Sequence, residues 1–530
     1  MFGWHLMKDW QSLSLKEQIA QMIVVRASGH LFDHQIRYPA WEANNQQLKT
    51  WLKEFNLGGV ILLGGSSIEL QARSQQLQSW ANIPLFIAAD VEEGIGQRFP
   101  GGTWFPPPMA LGRIYDRDPV LARQYAHLMG EITAREALTV GINWLLAPVV
   151  DVNNNPDNPA INIRAFGDRP EVVADLTTAF IRGAKSTPVL TTAKHFPGHG
   201  DTSTDSHLDL PTLTQAESRL AEVELPPFQQ AIAAGVDSVM TAHLSIPAWD
   251  EIPVTLSHKI VTKILRKRLG FSGLVVTDAL IMGGITKYAN PKTIAVMAVE
   301  AGTDILLMPD DPEVAIAAIY DGVRSGIIKE SRIQESLSRI WQSKQIFTPI
   351  EKTELSGNRA KSTVNSILKN SLQHGKATIV PNQINRRNLI VVDDVLNVAY
   401  LDINSPAITI PQQHNYQRQI VDRQTFDYIL NDERPTLLQI FIRGNPFRGS
   451  AGLTERTKTI YRQSLAKQKI VGIAIYGSPY VLNWFKTMMS ADLPWAFSYG
   501  QMEQSQALVL QSLFADNFQA SQAKSSNFGF

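Results

Sequence analysis

Short apolar runs recur along the first part of the chain, separated by longer stretches in which apolar residues return every three or four positions. The runs are Met22-Ile-Val-Val, Gly59-Val-Ile-Leu-Leu, Leu85-Phe-Ile-Ala-Ala, Asn143-Trp-Leu-Leu-Ala-Pro-Val-Val, Val189-Leu-Thr-Thr-Ala, Ser238-Val-Met-Thr-Ala, Leu274-Val-Val-Thr and Asp304-Ile-Leu-Leu-Met. A run without polar alternation fits a strand covered on both faces, as in a parallel sheet flanked by helices. Between the runs, Glu171–Lys185 and Leu220–Ala234 have helical spacing, and Ser14 with Glu17 three residues later is a capping signature for a helix entering the first run. Eight such strands alternating with helices predict an α/β fold, a (β/α)8 TIM-type barrel over residues 1–346. A doubly wound sheet is the structural competitor.

The C-terminal ends of the runs favour the barrel. They deliver Asp90, Asp151, Lys194 with His195, His243 and Asp278, and in a barrel that face gathers scattered polar residues into one site. The densest stretch is Lys194-His-Phe-Pro-Gly-His-Gly-Asp-Thr-Ser-Thr-Asp-Ser-His, ending at His207. Pro197, Gly198 and Gly200 forbid a helix directly after the strand, so these groups leave it on a loop.

After residue 346 the composition turns polar, and residues 347–370 read as a linker and connecting helix. Buried-strand patterns return in Asn388-Leu-Ile-Val-Val, Leu437-Leu-Gln-Ile-Phe-Ile and Ile470-Val-Gly-Ile-Ala-Ile-Tyr, with a helical Glu455–Lys467. Residues 371–530 are therefore expected to form a second, smaller α/β domain, with a disordered tail over Gln519–Phe530. The chain has no cysteine, which removes disulfides and thiolate chemistry. Its 49 basic and 49 acidic side chains balance, so no global field favours nucleic acid or an anionic membrane. The N-terminal stretch lacks a basic start followed by an apolar core, and no apolar run reaches the roughly 18–20 residues of a membrane span. A cytoplasmic location is the expectation.

The loop ending at His207, followed by Leu210 and Pro211, resembles the signature of bacterial family 3 β-N-acetylglucosaminidases. The similarity continues through Ala147-Pro-Val-Val-Asp-Val-Asn, Arg164-Ala-Phe-Gly-Asp, Met240-Thr-Ala-His and Val276-Thr-Asp-Ala-Leu-Ile-Met-Gly-Gly-Ile. The resemblance implies a retaining glycoside hydrolase, a β-N-acetylhexosaminidase, in which Asp278 is the nucleophile and His207, backed by Asp205, is the acid and base. A carboxylate suits attack on an anomeric carbon. Imidazole, with an ordinary pKa of about 6.5, can give and take a proton near neutrality without placing a second anion beside the nucleophile. As an alternative to catalysis, Asp278 is a helix cap and Asp205 with His207 a surface turn pair or half a metal site.

The same resemblance implies that Asp90, Arg98, Arg164, Lys194 and His195 bind sugar hydroxyls and that Met282 is a pocket wall. Asp151 reads as a brace, His199 as a brace for the loop, His243 as a packed histidine, and Trp104 as packing. Asp90-Val-Glu-Glu-Gly-Ile-Gly-Gln-Arg departs from the family stretch, Asp-x-Glu-Gly-Gly-Arg-x-x-Arg, at Glu93 and Ile95, so the outer sugar site is expected to differ. No metal or organic cofactor is implied. The partner is a small carbohydrate, an N-acetylglucosaminide and by further resemblance a cell-wall muropeptide. Phosphorolysis and a non-catalytic sugar-binding protein on the same barrel are the competing readings. The loop glycines also allow His207 to stand away from Asp278 when no ligand is bound.

Overall fold

The structure is a computed structural model and describes residues 9–347, 352–380, 385–392, 398, 400–422, 425, 432–443, 452–467 and 469–514. The tail expected over 519–530 lies outside them, as do the first eight residues. The chain divides into two compact units between Thr363 and Val364.

In the first unit, the strands are β1 (Ile23–Ser28), β2 (Gly59–Leu63), β3 (Phe86–Ala89), β4 (Trp144–Leu145), β5 (Thr192–Phe196), β6 (Ser238–Thr241), β7 (Leu274–Thr277) and β8 (Leu306–Leu307). They pair in parallel as β4-β3-β2-β1-β8 and β5-β6-β7. Parallel bridges Trp144–Leu190 and Val276–Ile305 join the two sets at both seams. At those seams the Leu145 N–H donates to the Leu190 carbonyl at 2.8 Å and the Ile305 N–H to the Val275 carbonyl at 3.1 Å. The sheet therefore closes on itself, which a doubly wound sheet does not do.

Residues in register on parallel neighbours face the same way. Arg26 pairs with Ile61, Ile61 with Ala88 and Ala88 with Trp144. The Trp144 indole N–H reaches Thr192 Oγ1 at 2.9 Å and Ser238 Oγ at 3.1 Å on β5 and β6, so this set lines the barrel interior. The Ser14–Glu17 capping box forms as the sequence predicts and starts the helix Leu15–Ala20. The expected helix over Leu220–Ala234 is instead two, Glu217–Glu222 and Leu225–Ala233. Pro226 and Pro227 have no N–H to give to a preceding turn and are tolerated only in the first turn of a new helix.

Two buried charges close the N-terminal end of the barrel. Asp304, fully buried, accepts from Arg266, Arg332 and Arg339. Lys344, at the end of the helix Glu330–Lys344, donates to Gln21 Oε1 at 2.7 Å and the Gly58 carbonyl at 3.1 Å, with its ammonium 4.9 Å from the Phe86 ring centroid. No carboxylate pairs with it among the described residues, and burial pushes its pKa down to about 7.

The second unit has strands β9 (Gln373–His374), β10 (Arg386–Val391), β11 (Tyr416–Val421), β12 (Thr436–Ile442), β13 (Ile470–Gly477) and β14 (Trp495–Ser498), in the order β11-β10-β12-β13-β14-β9. All pairs are parallel except β14 with β9. The helix expected at Glu455–Lys467 runs from Glu455 to Ala466. Among the described residues no helix is long and apolar enough to cross a membrane.

Lys344 generates a pH-dependent stability. Between pH 7 and about 10 the unfolded chain holds a proton on this lysine that the folded chain has released, so folding gains stability as pH rises through that window. The unfolding-temperature difference between Lys344→Met and wild type is expected to shift in favour of wild type across it; a difference independent of pH would contradict the assignment.

Candidate active site

The loops after β3, β4, β5 and β7 meet at the C-terminal mouth of the barrel, and a buried glutamate ties three of them together. Glu92 accepts from Arg164 Nε at 2.9 Å and Nη2 at 2.8 Å, and its Oε1 lies 2.6 Å from Lys194 Nζ. Lys194 Nζ also donates to Asp90 Oδ1 at 2.7 Å. Burial would raise the Glu92 carboxyl, but Arg164 and Lys194 outweigh it and hold the group well below the ordinary carboxylate range. In return, burial works against both cations, yet Glu92 and Asp90 keep them more firmly protonated than usual. Lys194 is 1% exposed while the Asp90 side chain keeps 27% exposure toward the mouth.

Beside this group, Asp151 accepts from His195 Nδ1 at 2.8 Å and from the His199 backbone N–H at 2.7 Å. Its carboxyl is lowered despite burial, chiefly by His195, so His195 Nδ1 carries the proton and donates. His195 Nε2 then faces Arg164 Nη2 at 3.4 Å. Arg98 is exposed and donates from Nε to the Asp90 carbonyl at 3.2 Å.

The two departures from the family stretch turn inward. Glu93 is fully buried and accepts from the Trp104 indole N–H at 2.9 Å, and Ile95 is buried in the core. Trp104 is thus held by Glu93 as part of the fold of this loop.

Asp278 follows β7 directly, half-buried, with its Oδ1 accepting the Ala279 N–H at 2.8 Å. Burial pushes its carboxyl up, but His195, His243 and His207 and the Ala279 N–H outweigh this and hold it below its ordinary value. The group is an anion near neutrality. His243 is buried between Thr255 Oγ1 at 2.8 Å and the Ala279 carbonyl at 3.1 Å, the packed histidine the sequence predicts.

His207 Nδ1 lies 2.9 Å from Asp205 Oδ1, which also accepts the His207 backbone N–H at 2.9 Å. Asp205 is buried, and the imidazole keeps 27% exposure. His199 braces this loop from within. Thr202 Oγ1 donates to the His199 carbonyl at 3.0 Å, so His199 Nδ1–H donates to that oxygen at 2.7 Å and Nε2 accepts from Ser206 Oγ at 3.0 Å. Burial pushes the His199 pKa down to about 4, which keeps the ring neutral and both bonds in that sense.

The loop rests on the one that follows β7. Gly283 N–H donates to the His207 carbonyl at 3.1 Å and Gly284 N–H to the Ser206 carbonyl at 3.0 Å. A Cβ on Gly283 would stand 2.9 Å from the His207 and Leu208 carbonyl oxygens, and one on Gly284 2.8 Å from that of Ser206. These glycines follow Met282, which is buried in the loop after β7. Asp90, Lys194, His195, Arg164, Asp205, His207, Asp278, Met282 and Arg98 therefore all belong to β5 or to loops of one barrel mouth. Glu92 is the member that sequence reasoning passed over; its place in Asp-x-Glu was the available signal. Among the described residues no group of three or more His, Cys, Asp or Glu side chains is disposed to hold a metal ion.

Comparison with known proteins matches the glycosyl hydrolase family 3 N terminal domain over residues 14–343 and the bacterial glycosyl hydrolase family 3 C-terminal domain over residues 379–515. The chain belongs to glycosyl hydrolase family 3. It is 31% identical over 387 residues to beta-hexosaminidase A of Pseudoalteromonas piscicida, a match covering 67% of this chain and 64% of that one. Over 275 residues it is 36% identical to a beta-hexosaminidase of Alkalilimnicola ehrlichii, covering 51% of this chain and 79% of the relative. Among solved structures, a family 3 beta-N-acetylglucosaminidase from Paenibacillus sp. str. FPU-7 superposes with a TM-score of 0.79 at 27% identity, covering 95% of this chain and 97% of that one.

The ion network generates a stability prediction for this family 3 chain. Glu92→Gln leaves the buried Lys194 with Asp90 and the buried Arg164 with only the longer-range charges of Asp151 and Asp90, and is expected to cost about 3 kcal/mol in denaturant unfolding. A loss below about 0.5 kcal/mol, the range of an ordinary surface substitution, would show that Glu92 does not hold the floor together.

Proposed function

We propose that this glycoside hydrolase is a retaining exo-β-N-acetylglucosaminidase that forms a glycosyl-enzyme on Asp278 and uses His207, backed by Asp205, as acid and base. The observation that carries the reading is the pairing, at one barrel mouth, of a carboxylate held ionised with an exposed imidazole hydrogen-bonded to a buried carboxylate. The relatives named beta-hexosaminidase support the glycone.

In this mechanism the floor of Asp90, Glu92, Lys194, Arg164 and His195 holds the sugar by its hydroxyls. Asp90 is the floor carboxylate with the greatest exposure for accepting them. Asp278 attacks the anomeric carbon as His207 Nε2–H protonates the leaving oxygen, so the glycosidic bond breaks and the aglycone departs as an alcohol. The now neutral His207 takes a proton from water, whose oxygen displaces Asp278 and releases the free sugar. Asp205 holds Nδ1–H throughout and offsets the imidazolium. The finer reading, muropeptides turned over in the cytoplasm, rests on the resemblance of the barrel sequence to cell-wall-recycling members.

Asp278→Asn is expected to lower kcat on p-nitrophenyl β-N-acetylglucosaminide by at least about 10³-fold, the loss of a nucleophile. Unchanged turnover in that variant would rule out Asp278 in this role. Gly283→Ala displaces the His207 loop without touching the floor, so kcat on the same substrate is expected to fall about tenfold with KM within about twofold. A rise in KM at constant kcat would instead place Gly283 in substrate binding.

A further inference from the structure

The loop after β1, residues 29–44, contributes nothing to the floor or to the dyad, yet it presents aromatic rings at the same mouth. Trp41 is 48% exposed and Tyr38 42%, their ring centroids lie 5.9 Å apart and their planes differ by 27°. Both rings are backed by Arg26, whose guanidinium carbon lies 5.0 Å from the Tyr38 centroid and 5.7 Å from that of Trp41. Arg26 faces the barrel interior by register with Ile61 and is fixed by Glu42, a buried carboxylate 2.9 Å from its Nη2.

The loop under the rings is fixed by its own hydrogen bonds. Asn45 N–H donates to Asp33 Oδ1 at 2.8 Å and Asn45 Nδ2 to the Leu31 carbonyl at 3.0 Å. Buried Arg73 donates to the Ser28 carbonyl at 3.0 Å and to Asn45 Oδ1 at 2.7 Å. The Trp41 and Glu42 N–H groups both donate to the Tyr38 carbonyl at 2.9 Å. Large apolar faces held open by this much structure are costly unless something covers them.

Position names the occupant. In the closed sheet β1 is two strands from β3, which carries Asp90, and two from β7, which carries Asp278. At the spacing of paired strands that is about 10 Å along the rim from each. A sugar ring beyond the scissile bond is the group that reaches this distance from the floor, and the apolar C–H face of a pyranose fits an exposed aromatic face, with the Arg37 guanidinium, its carbon 5.7 Å from the Tyr38 centroid, to donate to the sugar hydroxyls.

We propose that Tyr38 and Trp41, backed by the Arg26–Glu42 pair, form a subsite for a saccharide aglycone, a reading that rests on the N-acetylglucosaminidase function above. The subsite selects substrates whose leaving group is itself a sugar ring over those with a small alkyl leaving group. It stabilises the departing ring without taking part in proton transfer or attack.

The test compares kcat/KM for N,N′-diacetylchitobiose with that for methyl β-N-acetylglucosaminide in the wild-type chain, Tyr38→Ala, Trp41→Ala and Trp41→Phe. The ratio of the two constants is expected to fall about tenfold in each alanine variant, the value of a lost aromatic contact, and by less in Trp41→Phe. Turnover of the methyl glycoside reports folding and the glycone reading by itself. If the wild type cleaves both glycosides and the ratio is unchanged in both alanine variants, or if both constants fall together, the subsite is wrong while the N-acetylglucosaminidase reading stands. A wild type inert to both glycosides overturns that reading and the subsite with it.

Discussion

The site depends on the neutralisation of Lys194 and Arg164 by Glu92. Two cations buried in a barrel mouth are tolerated only with anions in contact, and Glu92 supplies one carboxylate to both while Asp90 shares Lys194. Because the three partners come from the loops after β3 and β4 and from β5 itself, the charge requirement is also a geometric one. Each strand end must stay within hydrogen-bond distance of its neighbours. Replacing such a triad by apolar side chains often stabilises a protein, so its retention here is best understood through what it leaves at the surface: an Asp90 carboxylate fixed in place and partly open to the mouth.

The barrel strands and most of the site were legible because their signals are local. An apolar run and the polar residue that ends it lie within a few positions, which is why Asp90, Asp151, Lys194 and Asp278 could be placed at one mouth. What escaped was non-local. Glu92 stands 72 residues from Arg164, and only its place in Asp-x-Glu, not its own neighbours, separates it from Glu93, which turns in to Trp104. The docking of Ser206 and His207 on Gly283 and Gly284 is a contact between two loops. In the second unit, β11 was missed because Tyr416-Gln-Arg-Gln-Ile-Val is a polar edge strand, exposed at Gln417 and Arg418 and free of the apolar pattern of a central one. The helix break at Leu220–Ala234 was legible in Pro226-Pro227, but apolar spacing across the break outweighed it.

The mouth combines a buried part and a more exposed one, and different histidines belong to each. His195 and His199 belong to the buried part: the first is held by the Asp151 carboxylate, the second is neutral and bonded on both nitrogens. Neither ring has a free nitrogen with which to carry a proton to a leaving group and retrieve one from water, since His195 Nε2 faces Arg164. His207 Nδ1 is bonded to Asp205 and the ring keeps 27% exposure. The second oxygen of Asp205 is buried and has no hydrogen-bond partner among the described residues. The other oxygen holds the ring in one orientation by accepting both the His207 Nδ1–H and its backbone N–H.

That asymmetry ties the acid–base step to loop position. Moved away from the mouth, the dyad would meet water and Asp205 would be solvated without help from the ring. Docked on the Gly283 and Gly284 amides, it stands where its charge acts on Asp278. The two glycine N–H groups are neutral donors with no side chain to intrude, so they can hold the loop without altering the charge balance at Asp278. The floor is held by buried ion pairs, whereas the His207 end of the loop rests on the Gly283 and Gly284 amides and on the His199–Ser206 bond.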